Sequence, residues 1–287
     1  MRVLSTVNKF ASLDEFVKLV EAQDDYRLLP IWTEYGERKL HSARMFGMTN
    51  ITRNRVTMAT GPNYPVFGHR EALGYVAKDL AKKDAEIHGS ITTLGDTTWT
   101  KILFDGISVK DETDKEVELG MEFVNPMDRK TRFKGHAYTF RQTCSNGAGI
   151  RKNFPGLEIN ESHTKNMEII VPPMIYDFID RSMKQKDRLE GMIKDAMAEK
   201  VSFQNRPQIV STLTSIFGAS VAERHIRAIA SGVETLEPTR WDLFNAANHY
   251  TSHHSVSPII RETIDMAAES FLDTEMKIVP AYIPKAM

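Results

Sequence analysis

Residues 86–110 read EIHGSITTLGDTTWTKILFDGISVK, and this stretch decides the fold class. Its β-branched and aromatic residues fall into short runs that are separated by turn signals such as Gly95-Asp96 and Asp105-Gly106. Two similar runs follow and are separated from each other by a loop over 126–134. The four predicted strands are Glu86–Leu94, Thr98–Phe104, Val117–Val124 and His136–Thr143. Short strands in close succession predict an antiparallel meander.

The segments before this meander mix helix and strand signals. Ser12 followed by Glu15 matches a capping box, which predicts a short helix that ends before Pro30. Residues 40–60 are rich in β-branched side chains, and ITRNRVTMAT (51–60) alternates like a strand before the turn signal at 61–63. A second helix is predicted over 71–83, with one apolar face formed by Leu73, Val76, Ala77 and Leu80.

After Pro172-Pro173 the apolar spacing changes to the helical period of 3.6. One long amphipathic helix is predicted from Met174 to Met197. Further helices are predicted over 206–217, 219–231, 238–254 and 258–276. Strands followed by helices predict an α+β fold, in which an antiparallel β-meander packed with helices precedes a mostly helical C-terminal part. We predict an N-terminal α+β domain over 1–165 and a helical domain over 166–287.

Composition restricts the class of protein. The chain has 287 residues, 41% of them hydrophobic, and 37 Lys and Arg against 38 Asp and Glu. This balance is typical of globular proteins and excludes disordered, collagenous and coiled-coil chains. No apolar run reaches the roughly 18–20 residues that cross a bilayer, and MRVLSTVNKF has no signal-peptide core. We therefore expect no association with membranes. Since Cys144 has no second cysteine to pair with, we expect a reducing compartment, most simply the cytoplasm.

Two basic windows without acidic residues interrupt an otherwise acidic chain. Residues 38–70 carry six Lys and Arg, residues 129–157 carry seven, and neither window contains Asp or Glu. Cations that follow phosphates and aromatic rings that stack on bases are the two requirements of single-strand binding. The predicted nucleic-acid-binding residues are Arg53, Arg55, Arg129, Lys130, Arg132, Phe133, Lys134, Tyr138, Arg141, Arg151 and Lys152.

In this prediction the cations hold phosphates, and Phe133 or Tyr138 stacks on bases. Strand alternation in HAYTFRQT (136–143) places Tyr138 and Arg141 on opposite faces, so without a bulge they cannot contact one ligand together. The alternative interpretation is that the charges solvate one sheet face and that the aromatic residues belong to the core.

Candidate catalytic features are few. His249 and His253 lie four residues apart and could share a metal ion, but the glutamate of an HExxH motif is missing, so helix capping and core hydrogen bonding are expected instead. Cys144 could be a nucleophile, although a single buried cysteine is usually inert. Neither a Walker A loop nor a GxGxxG fingerprint occurs. We therefore predict no catalytic residue, no metal and no cofactor.

Four motifs in this order resemble a family of phage- and plasmid-related proteins, the domain of unknown function nine-three-two. They are GPNYPVFGHREALGYVAKDL (61–80), FRQTCSNGAGI (140–150), ESHTKNM (161–167) and TRWDLFNAANHYTSHH (239–254). This resemblance spans about residues 53–275 and implies a viral or plasmid setting. The meander beside a helix is also similar to the topology of Rad-fifty-two-type single-strand annealing proteins, which implies oligomeric rings and a basic groove for single-stranded DNA.

The leading hypothesis is a non-enzymatic homo-oligomer that binds and anneals single-stranded DNA, or RNA, in recombination. One alternative is a metal-dependent nuclease or hydrolase that uses His249 and His253. The other is a viral structural or assembly protein whose basic face contacts an acidic partner.

Overall fold

The computed structural model describes residues 6–35, 38–110, 116–127, 132–141, 146–150, 157–164, 166–254, 256–273 and 275–281. The strands are β1 Thr6–Phe10, β2 Tyr26–Tyr35, β3 Arg38–Asn50, β4 Arg55–Thr60, β5 Ile87–Leu94, β6 Thr97–Lys110, β7 Glu116–Pro126, β8 Phe133–Arg141, β9 Asn146–Ile150 and β10 Glu158–Glu161. The helices are α1 Leu13–Glu21, α2 His69–Lys82, α3 Met167–Met183, α4 Lys186–Ala198, α5 Arg206–Phe217, α6 Glu223–Ser231, α7 Arg240–His253 and α8 Pro258–Ala268, which a 3-10 turn, Glu269–Phe271, follows.

The strands form two sheets. The larger has the order β1-β5-β6-β7-β8-β10, and β9 also pairs with β8. On the edge of β8, Phe133–His136 pair with β10 and Ala137–Arg141 pair with β9. The smaller sheet has the order β2-β3-β4. The α+β class, with an antiparallel meander β5-β6-β7-β8 and a mostly helical C-terminal part, is confirmed.

Local sequence signals account for helices α1, α2 and α5. The Ser12 side chain accepts a hydrogen bond from the backbone N–H of Glu15, and Phe16 and Val20 are buried, as the capping box and the apolar stripe predict. In α2, the predicted face of Leu73, Val76, Ala77 and Leu80 is buried. Helix α5 spans the predicted residues 206–217, since Asn205 caps it and Pro207 occupies its first turn.

Three predicted breaks or strands differ from the structure. Residues 51–54 form a turn rather than a strand, because Asn54 has a φ of 48° and the strand resumes at Arg55. Asp105-Gly106 lies inside β6, where Gly106 has a φ of 73°. The dipeptide Asn146-Gly147 also predicts a turn, but it starts strand β9. Glycine and asparagine mark left-handed backbone, but whether the chain reverses there depends on strand pairing.

The prolines at 172 and 173 lie inside α3 and do not precede it. Proline in a helix interior costs about 3 kcal/mol, and burial of Val171, Pro172 and Ile175 offsets that cost. The predicted long helix from Met174 to Met197 is divided into α3 and α4. No helix in the described part of the chain is both long enough and apolar enough to cross a membrane.

The chain forms two compact units that are each discontinuous in sequence. The first unit comprises Met1–Asp105, Gly120–His136 and Gly156–Met183. The second comprises Gly106–Leu119, Ala137–Pro155 and Lys184–Met287. The strands β6, β7 and β8 therefore contribute residues to both units.

Each unit has its own core. In the first, four phenylalanine rings pack in sequence, with centroid distances of 5.7 Å for Phe67–Phe133, 6.3 Å for Phe133–Phe123 and 5.5 Å for Phe123–Phe178. In the second, buried aromatic residues of the helices pack in pairs. These pairs are Phe217 with Phe271 and Trp241 with Phe244.

Candidate nucleic-acid interface

The first basic window lies on the small sheet. Strands β3 and β4 contain no Asp or Glu, and all of their residues belong to the window. β3 pairs with β2 from Tyr35↔Arg38 to Tyr26↔Asn50, which makes a long two-stranded arm. The register shifts between Pro30 and Trp32, so the outer part of this arm is joined to its base through a bulge.

The two faces of the small sheet differ in burial. On one face, Tyr26 and Met48 are buried together with Met127. On the other, Gly47 lies opposite Leu29, and a Cβ on Gly47 would lie 3.0 Å from Cγ1 of Val56. Leu29 is 40% exposed and Val56 is 57% exposed, so this second face presents apolar side chains to solvent.

Sequence reasoning did not select Trp32. This residue lies on β2, pairs with His41 and is 57% exposed. An exposed indole on a strand is a flat surface on which an unpaired base can stack. The signal in the sequence was a tryptophan just before the first basic window, separated from it by only five residues.

The predicted site residues Arg53 and Arg55 each bind a carboxylate. Nε of Arg53 lies 2.7 Å from Oδ2 of Asp24, and Nη2 of Arg55 lies 2.6 Å from Oδ1 of Asp96. Both guanidinium groups remain partly exposed, at 40% and 44% of the side chain. A phosphate bound at either arginine would therefore share the guanidinium group with an acidic residue from outside the window.

The second basic window is described in part. Arg132 is exposed and Lys134 is half-buried, whereas Phe133 is completely buried between Phe67 and Phe123. Phe133 therefore belongs to the core and is not placed to stack on a base, which corrects the prediction for this residue. The physical reason is strand alternation, since successive side chains of β8 point to opposite faces.

The remaining residues of that window cannot all be placed. Arg129, Lys130, Arg151 and Lys152 lie outside the described residues. Tyr138 and Arg141 lie on β8, where their backbones pair with Gly149 and Asn146, but their side chains are not among those described.

Strand β10 brings acidic residues to the same edge of the sheet. Asn160 pairs with Lys134, Glu158 pairs with His136 and Glu161 pairs with Phe133. Glu158 is exposed beside the end of the basic window. The first window lies in the small sheet, whose three strands contain a single acidic residue, Glu34 of β2.

A buried polar network lies next to the small sheet in the first unit. The Tyr26 hydroxyl donates a hydrogen bond to Oδ1 of Asp96 at 3.2 Å and lies 3.3 Å from Nε2 of His69. The Thr98 hydroxyl lies 2.9 Å from Nδ1 of His69. Burial lowers the pKa of His69 to about 3, with a smaller contribution from the charge of Arg53. The imidazole is therefore neutral at physiological pH.

The histidine pair of α7 is exposed, which corrects the expectation that these side chains form hydrogen bonds in the core. His249 and His253 both face solvent, and their ring centroids are 4.4 Å apart. Partial desolvation, together with the nearby His253 and His254, lowers the pKa of His249. Among the residues that the structure describes, no group of three or more His, Cys, Asp or Glu side chains could hold a metal ion.

Comparison with protein families, with curated proteins and with solved structures finds no match to this chain.

Proposed function

We propose that this protein binds single-stranded nucleic acid, with DNA as the first candidate, and presents it for annealing without breaking a covalent bond. The proposal depends on the composition and exposure of the small sheet. Its strands β3 and β4 carry basic and no acidic residues, and the adjacent β2 exposes Trp32.

The chemistry of the sheet fits an unpaired strand better than a duplex. Cations along β3 would neutralise phosphates and release counterions, while Trp32 and the exposed apolar face would contact bases. Duplex readers commonly place a basic helix in the major groove. In the described residues, the acid-free windows lie mainly on strands, and α2 is the helix that begins in the first window with His69 and Arg70.

The second window supports the same function through Arg132 and Lys134. The resemblance to a family of phage- and plasmid-related proteins adds a setting, namely a virus or plasmid, and the topological similarity to single-strand annealing proteins adds recombination. We further propose that the working form is a homo-oligomer, because an open sheet has edges that a second copy can pair with.

The test is a binding titration of the full chain. Fluorescence anisotropy with labelled single-stranded DNA, duplex DNA and single-stranded RNA, each of one length, is measured between about 50 and 200 mM salt. We expect the single strand to bind most tightly, and the logarithm of the affinity to fall linearly with the logarithm of the salt concentration. Annealing is then followed with two complementary labelled strands.

Equal affinity for duplex and single strand would contradict the proposal, and so would the absence of binding at low salt. A matched control replaces Arg181 and Arg227 by alanine. These arginines are exposed, lie on helices outside both windows, and form ion pairs with acidic residues one helical turn away. Loss of binding in this control would show that net charge, rather than the windows, determines affinity.

A further inference from the structure

The exposed histidine pair on α7 is not used by the proposed function. His249 and His253 lie one helical turn apart, because residues i and i+4 are neighbours on a helix surface. Their ring centroids are 4.4 Å apart, and the ring planes make an angle of 36°. Neither side chain belongs to the buried face of α7, which contains Trp241, Phe244, Ala247 and Thr251.

We propose that His249 and His253 form a two-histidine binding site for a divalent transition-metal ion of the Zn²⁺ type on the exposed face of α7. Imidazole nitrogen is a ligand that Zn²⁺, Ni²⁺ and Cu²⁺ prefer in proteins. Bonds of about 2.0–2.1 Å to one tetrahedral ion put two ligating nitrogens roughly 3.3 Å apart. The ring centroids of His249 and His253 are 4.4 Å apart, which is comparable with that spacing.

The helix backbone preorganises the pair for one ion. A metal ion binds imidazole in its neutral form. The cost of holding two imidazoles together is small, because the helix backbone already places them side by side.

The site is open on its outer side. His254 does not join the pair, because its Nδ1 lies 3.2 Å from the carbonyl oxygen of Tyr250 and its ring stacks on the Tyr250 ring at 4.5 Å. The part of the chain that the structure describes contributes no third His, Cys, Asp or Glu to a group around the pair. Water or an exchangeable ligand would complete the coordination, as in open zinc sites.

The experiment titrates the chelator-treated full chain with ZnCl₂ by calorimetry and follows the imidazole signals of His249 and His253 by NMR. We expect one saturable Zn²⁺ site per chain and shifts of both imidazole signals. Each of the variants His249→Ala and His253→Ala should lower the affinity by about tenfold or more, and the double variant should abolish binding. MgCl₂ should not displace Zn²⁺, because Mg²⁺ prefers oxygen ligands.

The matched control is His88→Ala. His88 lies on β5, is also partly exposed and has its Nδ1 2.6 Å from Oδ1 of Asp105. We expect this variant to bind Zn²⁺ as the parent does. Thermal unfolding without metal should be alike in the parent and in the variants of His249 and His253, since those two rings are exposed. Zn²⁺ binding that survives in the double variant, or that is lost in His88→Ala, would overturn the proposal. Absence of a saturable site in the parent would do so as well.

Discussion

The hydroxyl oxygen of Tyr26 lies 3.3 Å from Nε2 of His69, and both side chains are buried. Because this hydroxyl donates its hydrogen to Asp96, the arrangement assigns the ring proton to Nε2, which donates to Tyr26. The Thr98 hydroxyl lies 2.9 Å from Nδ1 and 3.5 Å from the carbonyl oxygen of Asn125, so it donates to the nearer Nδ1. One neutral tautomer of His69 thus satisfies both ring nitrogens.

The first prediction follows from the low pKa of His69. In the folded protein this pKa is about 3, whereas in the unfolded chain it returns to about 6.5. Between these values the unfolded chain binds a proton that the folded chain does not, so the free energy of unfolding falls as the pH falls. The slope from this group is about 1.4 kcal/mol per pH unit. Urea unfolding at pH values between about 6 and 5 measures it, above the range in which most carboxylates titrate.

The control for this prediction is His69→Gln. This variant should be less stable than the parent at every pH. Its free energy of unfolding should change less with pH, because it lacks the one proton that His69 takes up on unfolding. Equal slopes in parent and variant would show that His69 is protonated in the folded state.

The second prediction concerns the close approach of β5 and β6. A Cβ on Gly89 would lie 2.0 Å from the carbonyl oxygen of Lys101, and backbone must shift to admit it. We expect Gly89→Ala to lower the free energy of unfolding by about 2 kcal/mol or more. Gly191 lies inside α4 with open space around the same position, so Gly191→Ala should instead raise stability by about 0.5–1 kcal/mol. Chemical denaturation measures the free energy of unfolding of both variants. A Gly89→Ala protein as stable as the parent would contradict the close packing of β5 and β6.

The third prediction concerns Arg240, which is completely buried. Its Nε lies 2.8 Å from Oε1 of Glu199, and its two terminal nitrogens donate to the carbonyl oxygens of Asp273 and Met276. Arg240→Met leaves these acceptors unpaired and should cost roughly 3 kcal/mol of unfolding free energy. Limited proteolysis should then cut the segment after Asp273 faster than in the parent.

The matched control is Arg227→Met, which removes an exposed ion pair between residues four apart on α6. Its cost should be at most about 0.5 kcal/mol. A similar loss of unfolding free energy in both variants would show that Arg240 stabilises the fold no more than an exposed arginine does.

The fourth prediction tests the second basic window. Replacing Lys130, Arg132 and Lys134 together by alanine should weaken single-strand binding and reduce the slope of log affinity against log salt by roughly 2, since each phosphate contact contributes about 0.7. Anisotropy titrations at several salt concentrations measure this slope. An unchanged slope in the folded triple variant, with a reduced slope when Arg38, Lys39 and Arg44 are replaced, would place the contacts on the small sheet instead.

The fifth prediction separates stacking from charge. Trp32→Ala should weaken single-strand binding by about 1–3 kcal/mol and leave the salt slope unchanged, because the indole carries no charge. Phe133→Leu is the contrasting variant. It should lower stability because the ring is buried, while the folded fraction binds as the parent does. Tight binding by Trp32→Ala would exclude stacking at that position.

Elements with strong local signals could be predicted from the sequence. Helix α1 begins at its capping box, α5 matches residues 206–217, and the face of α2 is buried as its spacing predicts. The meander was predicted because strand-forming runs alternate with turn residues. Strand β1 and the arm of β2 were missed, since the short run TVNKF pairs with the distant β5 and YRLLPIWTEY contains a proline that is unusual in strands.

By itself the sequence determined the α+β class, the positions of most helices and the two acid-free basic windows, because these depend on spacing and composition along the chain. Only the tertiary structure decided which faces those residues present. Arg55 binds Asp96, a residue 41 positions away, and Phe133 is buried between rings from β7 and from the segment before α2. Periodicity determines that two sets of side chains lie on opposite faces, but long-range packing selects the face that is buried.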